Sequence, residues 1–168
     1  MNRIKAQALA MRAMVHFDVL RYWVEEYDRS STKPGIPYIT VFDYEQKPSR
    51  GTVKETYDHI EADLQQARVL LSSGLDHVIN SSGKAYLDLQ GVNAISARMF
   101  LYSNQLDSAI KYSTLVINSV ALSTRTNFPN IWTDASTSEV IWSVSFNAGV
   151  GRIGDPVYFV PNNRSSYR

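Results

Sequence analysis

The 168-residue chain has no cysteine at all. Disulfides, thiolate metal sites and cysteine nucleophiles are therefore excluded, and the redox compartment stays open. Histidine is nearly as sparse. His16, His59 and His77 are scattered, no two of them three or four residues apart, so no metal site is expected. Charge of one sign is also missing: 17 Lys and Arg face 16 Asp and Glu, for a net charge of +1. Without a basic run the electrostatic footprint of a nucleic-acid binder is absent. No stretch approaches the roughly 18 uninterrupted apolar residues of a membrane-spanning helix. The N-terminal "MNRIKAQALAMRAMVHF" is cationic like a targeting peptide, but Arg12 interrupts its apolar run and no small-residue cleavage site follows. With 44% apolar and 20% charged residues, the composition is that of one globular domain, or part of one.

Helical patterning dominates what is present. Residues 3–26 hold no Gly or Pro and are rich in Ala, Leu, Met and Arg. Apolar residues nearly encircle this first helix: Ile4, Ala8, Met11 and Val15 on one side, Leu9, Ala13, Phe17 and Leu20 on another. Such a helix is expected to be covered on more than one side, with Asp18, Arg21 and Glu25 as its solvent stripe. A second helix, 52–72, places Val53, Tyr57, Ile60, Leu64, Ala67 and Leu71 on one face, and Thr52 with Glu55 forms a capping-box signature. Residues 74–87 read as loop. Two further helices, 88–103 and 107–118, sit close enough to make a hairpin, with Asp107 as the expected N-cap of the latter. After them come an aromatic loop, "NFPNIWTD", an alternating strand over 139–146 and an irregular stretch from 147 to 168. The fold class expected is mainly α: tetratricopeptide-like stacked helical hairpins with long loops and a short β segment near the C-terminus.

The tetratricopeptide comparison rests on Ala97, Phe100 and Ala109, which fall at small-aromatic-small spacings. The next aromatic is displaced to Tyr112, and the consensus Trp and Leu are replaced by Asn93 and Ser96. A unit of this kind buries its faces only against stacked neighbours.

Five segments in order resemble the SusD/RagB family of outer-membrane nutrient-binding lipoproteins of Bacteroidetes. They are "ALAMRAMVHFDVLRYW", "GIPYIT", "RGTVKETYDHIEADLQQA", "ISARMFLYSNQLDSAIKYSTLVI" and "NIWTDASTSEVIWSV". The most specific run is Arg50, Thr52-Val53, Glu55, Tyr57-Asp58, Ile60 and Asp63-Leu64. The resemblance implies a non-catalytic surface protein that binds glycan, or in some members peptide, as the lid of a TonB-dependent (SusC-like) outer-membrane transporter. It also implies that this chain is an inner piece of the family's helical half, without the signal peptide and lipidated cysteine that would anchor the full-length protein in the outer membrane. A helical-repeat interaction module without a small-molecule ligand is the competing reading. No cofactor is expected under either.

A carbohydrate site needs flat aromatic faces on exposed loops, together with a few planar polar groups. Tyr38, Phe42, Tyr44 and Trp132 qualify by type and position; the alternative is that the loop aromatics pack the 35–49 connection onto the first two helices. Trp23 and Tyr27 are expected to staple the same loop from below, and Trp142 to face inward. The enzyme readings are weak. Asp58 and Glu61 share a helix face rather than facing each other across a cleft. Ser143 and Ser145 lack a nucleophile elbow, and "GVGRIG" lacks the Lys-Ser/Thr of a phosphate loop.

Overall fold

The computed structural model describes residues 2–72, 83–133 and 135–144; the loop tip at 74–82, Ser145, "GVGRIG" and 147–168 lie outside the described residues. Helices α1 (Asn2–Trp23) and α2 (Val53–Ser72) lie against each other, as do α3 (Leu89–Tyr102) and α4 (Leu106–Ile117). The two hairpins meet mainly where α2 contacts α3. A short helix, α5 (Phe128–Trp132), follows. No described helix is long and apolar enough to cross a membrane.

The core follows the periodicities. From α1 come Ala6, Leu9, Ala10, Ala13, Phe17 and Leu20; from α2 come Val53, Tyr57, Ile60, Leu64, Ala67 and Leu71; Val92 and Met99 join them from α3. The alanines of α1 remove side-chain bulk at the helix contact, so α2 can approach closely while Phe17 and Tyr57 fill the remaining volume. Cutting a fully buried Phe such as Phe17 back to Ala typically costs about 3–5 kcal/mol.

Caps fix where the helices start. The Thr52 hydroxyl accepts from the Glu55 amide (3.1 Å), while the Glu55 carboxylate accepts from the Thr52 amide (2.7 Å), so each occupies a backbone group that the helix end leaves free. Asp88 caps α3 through the Gly91 amide. Asp107 does not cap α4. The helix begins at Leu106, Gln105 holds the cap position without a side-chain bond, and Asp107 sits in the first turn, where its charge favours the positive helix end. Asn104, at φ 60°, turns the chain between α3 and α4.

Four other expectations change. Residues 139–144 form no strand: Glu139 has φ 71°, a left-handed conformation that interrupts extended pairing, and the Ser143 amide makes a single bond to the Lys84 carbonyl. Trp142 still packs on the core, with its indole N–H donating to the Ala85 carbonyl at 3.2 Å. Part of "NFPNIWTD" winds into α5, with Pro in the first turn where its missing N–H costs nothing. The far side of α1 is uncovered in the described residues, leaving Ile4, Val15, Tyr22 and Trp23 between 50% and 75% exposed. Arg21 is not on a solvent stripe: it pairs with Asp18 and lies over the Phe17 and Tyr102 rings, closing the seam between α1 and α3.

Candidate functional site: a pinned loop with an aromatic tip

The 35–49 connection is closed at its base by backbone pairing. The Gly35 amide donates to the Gly51 carbonyl (2.7 Å) and the Val53 amide to the Lys33 carbonyl (2.9 Å). Arg50 adds side-chain bonds to the Gly35 and Pro34 carbonyls at 2.7 and 3.2 Å. Gly35 is required here, since a Cβ would lie 2.5 Å from the Thr52 carbonyl oxygen. With its ends tied, the segment is an Ω-type loop.

Its two halves differ. Ile36 is buried, and the Tyr38 hydroxyl donates to Asp63 Oδ2 at 2.7 Å. Asp63 is itself buried and receives Arg12 in a two-pronged pair, 2.6 Å from Nε and 2.7 Å from Nη2. The Tyr38 ring lies between two imidazoles, with centroids 4.1 Å from His16 and 4.9 Å from His59. His16 Nε2 accepts from the Ile39 amide at 2.9 Å, and Arg12 Nη1 reaches the Thr40 carbonyl at 3.3 Å. Burial and the neighbouring Asp63 carboxylate push the Tyr38 phenol well above its ordinary range, so it stays a neutral donor. The Arg12–Asp63 pair ties α1 to α2, and the bonds from Tyr38, Ile39 and Thr40 hold the loop onto both helices.

From residue 40 to 50 the loop is exposed. Val41, Phe42 and Tyr44 are 70%, 91% and 83% exposed. The tip has its own turn: the Glu45 amide donates to Asp43 Oδ1 (2.9 Å) and the Gln46 side chain to the Val41 carbonyl (3.0 Å). Two aromatic rings are thus presented to solvent on a short turn above a fixed base.

The four candidate aromatics therefore separate. Tyr38 is the anchor, while Phe42 and Tyr44 stand outward together. Trp132 is 78% exposed on α5, where its aromatic neighbour is Phe128 at 6.2 Å. Trp23 is not a staple beneath the loop. It is 72% exposed and lines a cavity of about 280 Å³ with Val19, Ile36, Pro37 and Arg50 beside the loop base. Sequence reasoning missed this second aromatic surface; the available signal was the excess of apolar positions around α1. Tyr27 binds instead to the Arg21 carbonyl (2.8 Å) and the Tyr102 ring (6.0 Å).

The paired acids have structural partners. Arg29 holds Asp58 and Glu61 together, 2.5 Å from each. Lys54 and then Arg29 keep the Asp58 carboxyl below its usual range. Two carboxylates clamped on one guanidinium cannot serve as the opposed acid and base of a glycosidase. Among the described residues no His, Asp and Glu group has the arrangement of a metal site.

The helical fold recurs in known proteins. A SusD superfamily protein from Bacteroides thetaiotaomicron is 26% identical, with TM-score 0.65 over 77% of this chain and 28% of its own. A protein from Bacteroides vulgatus described as a putative sugar binding protein is 28% identical, with TM-score 0.69 over 84% of this chain and 32% of its own. The chain thus spans about a third or less of these solved relatives. It matches no curated protein. Residues 1–89 of the 168, which hold α1, the Ω loop and α2, match the SusD-like family described as starch-binding and associating with the outer membrane, and the chain belongs to that family.

Proposed function

We propose that this chain contributes to non-catalytic glycan binding at the bacterial cell surface, with Phe42 and Tyr44 as ligand-facing aromatics. The observation that carries the reading is their near-complete exposure on a loop whose base is fixed by the Arg12–Asp63–Tyr38 contacts. Exposed rings contribute little to folding, whereas flat apolar faces held in place suit the C–H-rich sides of pyranose rings at low ordering cost. Family membership and a relative described as a putative sugar binding protein support the ligand class. Trp132 is a further candidate on a separate element.

In the full-length protein this unit would be lipid-anchored at the outer membrane and act as the lid of a TonB-dependent, SusC-like transporter. The uncovered apolar faces of α1 and of the α3–α4 hairpin suit protein contacts. The latter has a cavity of about 400 Å³ edged by Leu101, Leu106 and Ile110. Those faces also support the competing reading of a protein-interaction module without a small ligand; peptide remains the alternative ligand class. Affinity electrophoresis against a glycan panel separates these readings. Retardation that is lost in Phe42→Ala/Tyr44→Ala supports glycan binding, and migration unchanged by every glycan contradicts it.

A further inference from the structure

We infer that the cavity between α2, α3 and α4 is an anion subsite, fitted to the carboxylate of an acidic sugar and centred on Arg68. The cavity holds about 210 Å³ and is lined by Arg68, Gln65, Ser96, Phe100 and Tyr112, with Glu61 at one side. Arg68 crosses from α2 into it. Its Nη2 donates to the Ser96 hydroxyl at 2.9 Å and its Nε to Asn93 Oδ1 at 3.3 Å, while Nη1 donates to Gln65 Oε1. All three acceptors are neutral. Among the described residues Arg68 has no salt-bridge partner, and the one carboxylate lining the cavity, Glu61, is held 2.5 Å from Arg29. Burial pulls the Arg68 pKa down, as expected of a cation withdrawn from water without a counter-charge.

A second cation faces the same ring. The Arg68 guanidinium carbon is 4.3 Å from the Tyr112 centroid and Lys111 Nζ is 5.5 Å from it. Lys111 likewise has no salt bridge among the described residues. Like charges gathered on one aromatic residue repel unless an anion lies near both. Asn93 and Ser96 stand where a tetratricopeptide hairpin carries a large Trp and Leu, and the small Ser96 lines the space. Both are buried, and both present oxygen to Arg68. Phe100, stacked on Tyr112 at 5.4 Å and 7°, closes the apolar wall. Of the five guanidinium N–H groups, the three bonds above leave about two for a ligand. A carboxylate presents two oxygens to that fork, as other oxyanions can; a sugar acid supplies a carboxylate within the glycan class proposed above, on which this assignment rests.

The test follows the Arg68 Nε–H resonance and the backbone amides of Ser96, Phe100 and Tyr112 by NMR, the amides serving as reporters in Arg68→Gln, while the 168-residue chain is titrated separately with D-glucuronate, D-glucose and sulfate. The expected result is a saturable shift with glucuronate and none with glucose at the same concentration. Affinity should fall at least about tenfold in Arg68→Gln and about two- to fivefold in Lys111→Gln. Lys111 is exposed, so that variant keeps its fold and the answer does not depend on Arg68→Gln remaining folded. Equal shifts with glucose and glucuronate, or glucuronate binding unchanged in both variants, would overturn the proposal. Sulfate binding as tightly as glucuronate would overturn the sugar-acid assignment. Neutral oligosaccharide binding at Phe42 and Tyr44 is read on different resonances, so loss of the glycan reading and loss of this subsite are distinguishable.

Discussion

Asp63→Ala is the sharpest perturbation of the loop anchor. In the native protein one buried carboxylate accepts two bonds from Arg12, at 2.6 and 2.7 Å, and a third from Tyr38, at 2.7 Å. Charge-assisted bonds contribute about 1.5–3 kcal/mol each, and truncating one partner of a buried ion pair costs about 3–5 kcal/mol. Arg12 retains 28% side-chain exposure, so it rehydrates in part when its partner goes, which pulls the expected loss toward the low end. The Tyr38 hydroxyl, held among the rings of His16 and His59, rehydrates less easily. A loss of about 2–4 kcal/mol follows, equivalent to a fall of about 4–16 °C in Tm for a chain of this size. Urea denaturation of Asp63→Ala, Tyr38→Phe and the double variant provides the assay. Tyr38→Phe alone should lose about 1 kcal/mol. Because the two residues share a bond, the double variant should lose less than the sum of the singles. Limited proteolysis should cut Asp63→Ala within residues 40–50 before any other segment. A loss below about 1 kcal/mol with no change in cleavage would refute the anchor.

Three further outcomes follow from the fold. Tyr57 is fully buried and its hydroxyl has no hydrogen-bond partner among the described residues, so Tyr57→Phe should gain up to about 1 kcal/mol in urea denaturation. Gly35→Ala drives a Cβ against the Thr52 carbonyl backbone and should lose about 2 kcal/mol or more in the same assay. Stability should also depend on pH at both ends of a titration followed by circular dichroism. Glu55 and Asp58 are held below the usual carboxylate range by the Thr52 bonds and by Lys54 with Arg29, so the native state binds fewer protons; their contribution is present above about pH 4 and lost as pH falls. Burial pushes the Tyr57 phenol up to about 12, so the unfolded chain releases its proton first and stability falls as pH rises from about 10 toward 12.

The features legible in the sequence were those encoded by neighbours three or four residues apart. The face of α2 and the Thr52–Glu55 cap are of this kind, as is the small-aromatic-small pattern that brings Phe100 onto Tyr112. The inward turn of Tyr38 was not legible, because it depends on Asp63, 25 residues away, and on two histidines from different helices. The alternation at 139–144 suggested a strand, but a strand also needs a partner, and Glu139 turns the chain aside. Asp107 looked like an N-cap by residue type, yet Asn104 in its left-handed turn starts α4 at Leu106. Residue type and loop position nominate Tyr38, Phe42 and Tyr44 alike, while the division of the loop into a pinned base with Tyr38 and an exposed tip with Phe42 and Tyr44 required the tertiary contacts.

The central claim is that the exposed tip meets sugar while the pinned base only holds it. Saturation-transfer NMR of the 168-residue chain with a neutral glucan oligosaccharide tests it directly, at ligand concentrations in the millimolar range suited to weak binding. Transfer should appear with the native chain and disappear in Phe42→Ala/Tyr44→Ala, while urea stability changes by no more than about 0.5 kcal/mol because both rings are exposed. Transfer that persists at full strength in that double variant would contradict it.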